Sequence, residues 1–380
     1  MLALEGSQAI ARTVSLCRPG VVAAYPITPQ THIVERLADL VAEDKLKAEY
    51  VSAESEFSAA SIVLGAAAAG VRVFTATSSQ GLLLMAEVLY NIAGLRVPVV
   101  MVCANRALSA PISIWNDHED AMAVRDCGWV MLFCASNQEA VDTLPQAYRL
   151  AENLEIPVMV CVDGYTLTHT LEPLELPSQE MVDAFLPPYR FSRPLDPARP
   201  LSLGMLAGPE VYTEVKADHH QAMEGALGAI DEADRAWMEQ TGRASGGLVE
   251  RIGPPDARVG VLTLGSVWGT FLDAREELGL SDIALLRLRA FRPFPAESLC
   301  QAVAGLENLL VVERAFSRGV GGVVAAEVRQ ALYGKPGAPR VHATAVGLGG
   351  RDVPLSALDD LLKKMQQGEF ASFKLWGVKP

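Results

Sequence analysis

The runs VPVVMVCA and IPVMVCVDG are apolar at almost every position, with no polar alternation. A strand that shows one face to water alternates, whereas a strand apolar throughout is buried on both faces, as in a parallel sheet covered by helices. VVAAYPI, YVSAE and VRVFTATS are further runs of this type between residue 5 and about 170. Segments with helical spacing separate them: GSQAIARTVSLC, THIVERLADLVAED, SAASIVLGAAAAG, GLLLMAEVLYNIAGL and EAVDTLPQAYRLAENL. Ser7 is a candidate cap for the first of these helices. Strand and helix in strict alternation predict an open α/β fold.

The chain has 380 residues, more than one ordinary core accommodates, so two domains are expected. Residues 173–209 hold eight prolines and little periodicity, which predicts an extended crossing segment. A helix is predicted over about 214–240, and the polar stretch 241–258 is a boundary. A second α/β unit follows, with strands VGVLTLGS, IALLRLRAF, LLVVERAF and RVHATAVGL. The expected domains are therefore 1–240, including the crossing segment and its helix, and 255–380, each with an open parallel sheet.

Charge and cysteine usage narrow the function classes. Acidic residues outnumber basic ones 45 to 32, giving −13, which argues against nucleic acid as a partner. The six cysteines form no C-x-x-C pair, so no iron–sulfur or metal cluster is expected, and buried thiols fit a reducing cytoplasm. The N-terminus lacks a signal-peptide pattern, and no apolar run is long enough to cross a bilayer. A soluble cytoplasmic protein with no membrane partner is expected.

Open α/β sheets bind ligands at the carboxyl ends of their strands. Those ends are YPITP (25–29), ESE (54–56), TATSSQG (75–81), ANR (104–106) and DGY (163–165). Two prolines bracket Thr28 and hold a hydroxyl beside a strand end. Glu54 or Glu56 is a candidate helix cap. Glu56 also precedes an apolar, small-residue helix, and poor hydration there favours the protonated carboxyl that suits general acid–base work. Thr77, Ser78, Ser79, Gln80 and Gly81 form a small-residue turn that lets a ligand approach backbone amides. Arg106 follows a buried strand, where its fork can clamp a carboxylate. The dense polar segment after it, including Asn116, Asp117 and His118, reads as a binding loop. DHED lacks the helical spacing of a histidine-based metal site, so no metal is expected. In the second unit, LRAFRPFPAE (288–297) reads as a docking surface, and the glycines of RGVGG (318–322) serve as a tight turn or a phosphate cradle.

YPITPQT, ESEFSA, FTATSSQGLLLM, ANRALSAPISIWNDHED, RDCGW, NQEA, DGY and LRAFRPFP occur together and in order. As an ordered set, spanning about 5–375, they resemble the α subunit of 2-oxoacid:ferredoxin oxidoreductases, most of all the pyruvate-type branch. The resemblance implies a thiamine pyrimidine-binding domain followed by a transketolase C-terminal-like domain. It implies thiamine diphosphate as cofactor, shared with a β subunit. Magnesium and iron–sulfur clusters would sit on other subunits, because the family's GDG…N motif has only Asp163-Gly164-Tyr165 as its nearest counterpart here. It implies β-, γ- and δ-type subunits, ferredoxin, pyruvate and coenzyme A as partners, in a dimer of heteromers.

The resemblance also gives roles. Glu56 matches the glutamate that hydrogen-bonds the aminopyrimidine and so promotes removal of the thiazolium proton. Thr28 and Arg106 match residues that hold the substrate carboxylate and keto group. Thr77 to Gly81 line the pyrimidine, and Asn116 and Asp117 shape specificity. Threonine at 28, where oxalate-acting relatives carry arginine nearby, leaves room for a methyl-bearing acid. Two alternatives stay open at this level: the same enzyme acting on 2-oxoisovalerate or 2-oxoglutarate, and a non-catalytic scaffold subunit.

Overall fold

The computed structural model describes residues 2–370 and 372–379. The first unit runs β1 (Leu2–Glu5), α1 (Gly6–Leu16), β2 (Val21–Ala24), α2 (Thr31–Ala42), β3 (Glu49–Ser52), α3 (Glu56–Ala68) and β4 (Val73–Thr77). It continues through α4 (Ser79–Leu84), α5 (Ala86–Gly94), β5 (Val100–Asn105), α6 (Glu119–Ala123), β6 (Val130–Phe133), α7 (Asn137–Leu154) and β7 (Val158–Asp163). Then come β8 (Leu171–Leu174), α8 (Gln179–Phe185) and the long α9 (Pro209–Thr241). The second unit comprises β9 (Val249–Ile252), β10 (Val259–Thr263), α10 (Val267–Glu277), β11 (Ala284–Leu288), β12 (Ala290–Arg292) and α11 (Ala296–Ala302). It ends with β13 (Asn308–Glu313), α12 (Val323–Leu332), β14 (Arg340–Ala345), α13 (Ser356–Gln366) and β15 (Lys374–Leu375).

The seven-stranded sheet has the order β12-β6-β7-β5-β4-β2-β3, parallel except for β12 at one edge. The six-stranded sheet has the order β15-β14-β13-β10-β11-β9, parallel except for β9. Alternate residues of each apolar run enter different cores, which is why the runs carry no polar alternation. In β5, Val100 and Val102 pack with α1, α2 and α7 on one face. Met101 and Cys103 pack on the other face, in a cluster that continues to Leu286, Leu309 and Val311 of the second sheet. That shared cluster joins the two units through apolar burial, at about 1.5–3 kcal/mol for each fully buried aliphatic side chain. A third cluster, with Val261, Leu310 and Phe271, closes the far face of the second sheet.

Several expectations need correction. Glu5, not Ser7, occupies the cap of α1. Ser7 is buried, and its hydroxyl donates to the Thr168 carbonyl. Neither Glu54 nor Glu56 caps α3, because the Ser55 hydroxyl accepts the Ser58 amide and Glu56 falls in the first turn. The single helix expected over GLLLMAEVLYNIAGL breaks at Met85. The proline-rich segment is not wholly extended, since Ser178 caps a short helix, α8. The helix expected from 214 starts at Pro209, a residue whose missing amide suits a first turn.

The largest difference lies in IALLRLRAF, which reads as one strand and forms two. Residues 284–288 belong to the second sheet, while 290–292 cross over and extend the first. Arg289 at the crossing is fully buried against Glu139, Thr143 and Gln146 of α7. The docking surface expected at 288–297 is therefore internal, one unit fastening onto the other. The glycines of 318–322 form a tight turn, with the Ser317 and Gly321 backbones bonded to each other.

Candidate active site

Chain order differs from spatial order around β2. The chain steps from β2 to β3 on one side, then returns across β2 to β4 and β5. Such a reversal leaves a crevice at the carboxyl ends of the strands. The segments leaving β2, β3, β4 and β5 carry Thr28, Glu56, Thr77 to Gly81, and Arg106 respectively.

Glu56 is only 6% exposed. Its carboxyl lies directly over Gly81: a β-carbon there would fall 2.5 Å from Glu56 Oε1 and 2.6 Å from Thr77 Oγ1. Glycine at 81 is thus required by close approach. The hydroxyls of Thr77 and Ser78 and the Gln80 amide nitrogen are buried and have no partner among the described residues. Buried polar groups are ordinarily paired, so this group of orphans beside a carboxyl marks a place shaped for a polar ligand. They set donors and acceptors around a glycine floor, where the resemblance implies the aminopyrimidine.

Arg106 connects the other side of the crevice. Its Nη1 donates to the Thr28 carbonyl at 2.8 Å and its Nε to the Ser113 carbonyl at 2.8 Å. Thr28 and Arg106 are thereby brought together, with Arg106 Nη2 free of a partner among the described residues.

Asp120, which the sequence reading left without a role, holds this framework. It accepts from the amides of Ser79 and Arg106 at 2.9 Å each and from the Asn105 side chain at 2.8 Å. Burial pushes its carboxyl above the ordinary value, and these donors oppose the rise. The signal in the sequence was only the crowding of polar residues after β5, which does not say which of them turns inward.

Asn116 and Asp117 engage the second unit. Arg314 Nη2 donates to Asn116 Oδ1 at 2.9 Å, and the Gly349 amide donates to Asp117 Oδ2 at 3.1 Å. Next to them, His118 Nε2 lies 2.6 Å from Asp163 Oδ1, and Arg314 Nη1 donates to Asp163 Oδ2 at 2.9 Å. Burial alone would raise the Asp163 carboxyl, but His118 and Arg314 hold it well below the usual range. Gly265, with φ +70°, completes the contact, since a β-carbon would meet Asp163 and His118 at under 3 Å. Asp163, Ser266 and Arg314 had no role in the sequence reading because their partnership spans the two units.

Burial pushes Asp117 up to about 7, and likewise Glu313, which accepts the Val324 and Ala325 amides at the start of α12. A carboxyl whose folded pKa is raised binds more protons folded than unfolded. These two groups therefore stabilise the chain fully below about pH 4, and that contribution is lost as pH rises to about 7. The melting temperature is expected to decline between about pH 5 and 7, and less steeply in Asp117→Asn. An unchanged slope in that variant, followed by scanning calorimetry, would show Asp117 ionised throughout.

The chain is similar to known proteins along most of its length. The thiamine diphosphate-binding model of pyruvate flavodoxin/ferredoxin oxidoreductases matches residues 12–235, and the pyruvate:ferredoxin oxidoreductase core domain II model matches residues 257–358. The pyruvate synthase subunit PorA of Methanosarcina barkeri is 44% identical over 373 residues, covering 97% of this chain and 93% of that protein. The ketoisovalerate oxidoreductase subunit VorA of Pyrococcus abyssi is 38% identical over 373 residues, covering 96% and 94%. The solved 2-oxoglutarate:ferredoxin oxidoreductase from Magnetococcus marinus shares the fold at a TM-score of 0.75 and 19% identity, covering 96% of this chain and 65% of that one. A split-gene transketolase shares it more loosely, at a TM-score of 0.56 and 13% identity over 98% of this chain and 100% of that one. With the first model matching more than half its length, the chain belongs to the pyruvate flavodoxin/ferredoxin oxidoreductase family.

Proposed function

We propose that this chain is the α-type subunit of a thiamine-dependent pyruvate:ferredoxin oxidoreductase. The reaction converts pyruvate and coenzyme A to acetyl-CoA and carbon dioxide, releasing one proton and two electrons to ferredoxin, or runs in reverse. The observation that carries the reading is the Glu56 carboxyl buried over Gly81, beside orphaned hydroxyls at the crevice.

Bound thiamine diphosphate would supply the carbon nucleophile that attacks the keto group and takes up the electrons left by carbon dioxide. The Glu56 carboxyl hydrogen-bonds a ring nitrogen of the aminopyrimidine. Thr77, Ser78 and Gln80 orient that ring, and Gly81 lets it lie close. Arg106 and Thr28 bind the substrate carboxylate and orient its keto group. Asp120 keeps Arg106 and the Ser79 turn in place from behind. Asn116 and Asp117 act through the closure of the second unit rather than by direct contact.

We place the diphosphate, its magnesium and the iron–sulfur clusters on partner subunits, of the β, γ and δ types, in a dimer of heteromers. The thiols of this chain support that division: Cys17, Cys103, Cys127, Cys134 and Cys161 are buried. Among the described residues none of the six thiols joins a group of three metal-donor side chains. The apolar residues Phe57, Leu83, Leu84, Ile112 and Trp115 are exposed on loops and helices at the crevice side, as expected of a face a partner covers. No helix among the described residues is long and apolar enough to cross a membrane, and we assign the complex to the cytoplasm.

The test is anaerobic dye reduction by the complex assembled with its partner subunits. Pyruvate with coenzyme A is expected to give a kcat/KM at least about tenfold above 2-oxoisovalerate and 2-oxoglutarate. Preference for either of those acids would overturn the substrate. Inactivity with all three, in a complex carrying clusters and cofactor, would overturn the catalytic reading.

A further inference from the structure

Three side chains from distant parts of the chain converge outside the crevice. Glu5 ends β1, His32 is the second residue of α2, and His169 lies in the turn between β7 and β8. One ring nitrogen of each histidine and one Glu5 oxygen all lie within 4.8 Å of one another. Among the described residues this is the one such group of three histidine, cysteine or acidic donors. The two imidazoles face each other, with centroids 4.8 Å apart.

The backbone makes this convergence rigid. The β1–β8 ladder pairs Glu5 with Leu171, and the Gly6 and Ser7 amides donate to the Thr170 and Thr168 carbonyls. His32 Nδ1 donates to Glu5 Oε1 at 2.7 Å. His169 Nδ1 lies 2.8 Å from Thr168 Oγ1, which already accepts the Tyr165 amide. Tyr165 lies against His169 with ring centroids 4.5 Å apart, and Trp115 against Tyr165 at 4.7 Å, both pairs tilted.

We propose that Glu5, His32 and His169 bind one divalent cation of the zinc class. Two histidines and a glutamate are a donor set that zinc takes, with bonds of about 2.0–2.2 Å, and tetrahedral angles put such donors about 3.4 Å apart. Closing 4.8 Å to that spacing needs only rotamer adjustments at partly exposed side chains. The cation would take the place of the His32–Glu5 hydrogen bond, with the displaced proton released to solvent. The Thr168 hydroxyl supplies the outer hydrogen bond that orients a metal-bound imidazole. Three protein donors leave a fourth position for water. The ion would tie the N-terminal strand to the start of α2, close behind Thr28, and to the base of the Tyr165–Trp115 column. This inference does not depend on the proposed reaction, and its test needs no turnover.

The full chain, washed with chelator, is titrated with zinc against a chromogenic competitor, and separately with cobalt for its visible spectrum. One equivalent per chain is expected, with a four- or five-coordinate cobalt spectrum and a raised melting temperature. His169→Ala and His32→Gln are each expected to weaken binding by at least about 100-fold, with the metal-free melting temperature preserved. A wild-type titration with no equivalence point overturns the proposal whatever the variants do. So does binding that survives both substitutions, which would leave only stacked imidazoles at this place. A Glu5→Gln variant that still folds and loses the cobalt spectrum supports the third ligand should a histidine variant fail to fold.

Discussion

Glu56→Gln is expected to lower turnover of the assembled complex by at least roughly two to three orders of magnitude, the usual scale for losing a positioned proton donor. The substitution keeps the shape of the side chain over Gly81 and leaves the Ser55 cap untouched. It removes only the side chain's capacity to exchange a proton. The melting temperature is therefore expected to stay close to wild type, and the loss is expected in kcat more than in KM for pyruvate, because Thr28 and Arg106 are unchanged. Glu56→Asp restores the carboxyl but withdraws it by one methylene. Misplacement on the scale of 1 Å costs about 10²-fold, so this variant is expected to be crippled as well. Steady-state rates of dye reduction measured on all three complexes decide it. A near-normal rate in Glu56→Gln would remove Glu56 from the chemistry and favour a scaffold subunit.

Arg314→Met is expected to produce the largest loss of stability. Arg314 is nearly buried and divides its guanidinium between Asp163, Asn116 and the Gly347 carbonyl. Methionine fills much of the volume but leaves Asp163 with one fewer cationic partner. Breaking a buried pair from one side costs about 3–5 kcal/mol, more than the pair itself contributes relative to an apolar replacement. The loss falls at the junction of the two units. Calorimetry is expected to show a lower melting temperature, with the second unit separating as an earlier transition. Asp163→Asn combined with Arg314→Met removes the stranded charge and is expected to recover part of the loss. A single transition at the wild-type temperature would mean that the apolar cluster alone holds the units together.

The first sheet was legible because both faces of its central strands are covered. Val100, Met101, Val102 and Cys103 are apolar in succession for that reason. The strand ends were legible in turn, since an open sheet places them at one crevice. Strand order put Glu56, Thr77 to Gly81, Thr28 and Arg106 at those ends, and their roles came from the resemblance of the ordered motifs. The strand 284–292 was misread because apolar character does not say which sheet a strand joins. Arg289 turns the chain from one sheet to the other, and its partners Thr143 and Gln146 lie more than a hundred residues earlier. Local periodicity carries no signal over that separation.

The amino-acid sequence by itself determined the two α/β units, the carboxyl-end crevice and the family, because burial pattern and ordered motifs are local properties. Only the tertiary structure decided that Asp120 holds the crevice from behind, and that Asn116 and Asp117 clasp the second unit through Arg314 and Gly349. It alone brought Glu5, His32 and His169 together. The physical reason is the same in each case. A polar side chain is defined by the partner it meets once buried, and that partner is chosen by the packing of distant segments rather than by its neighbours in the chain.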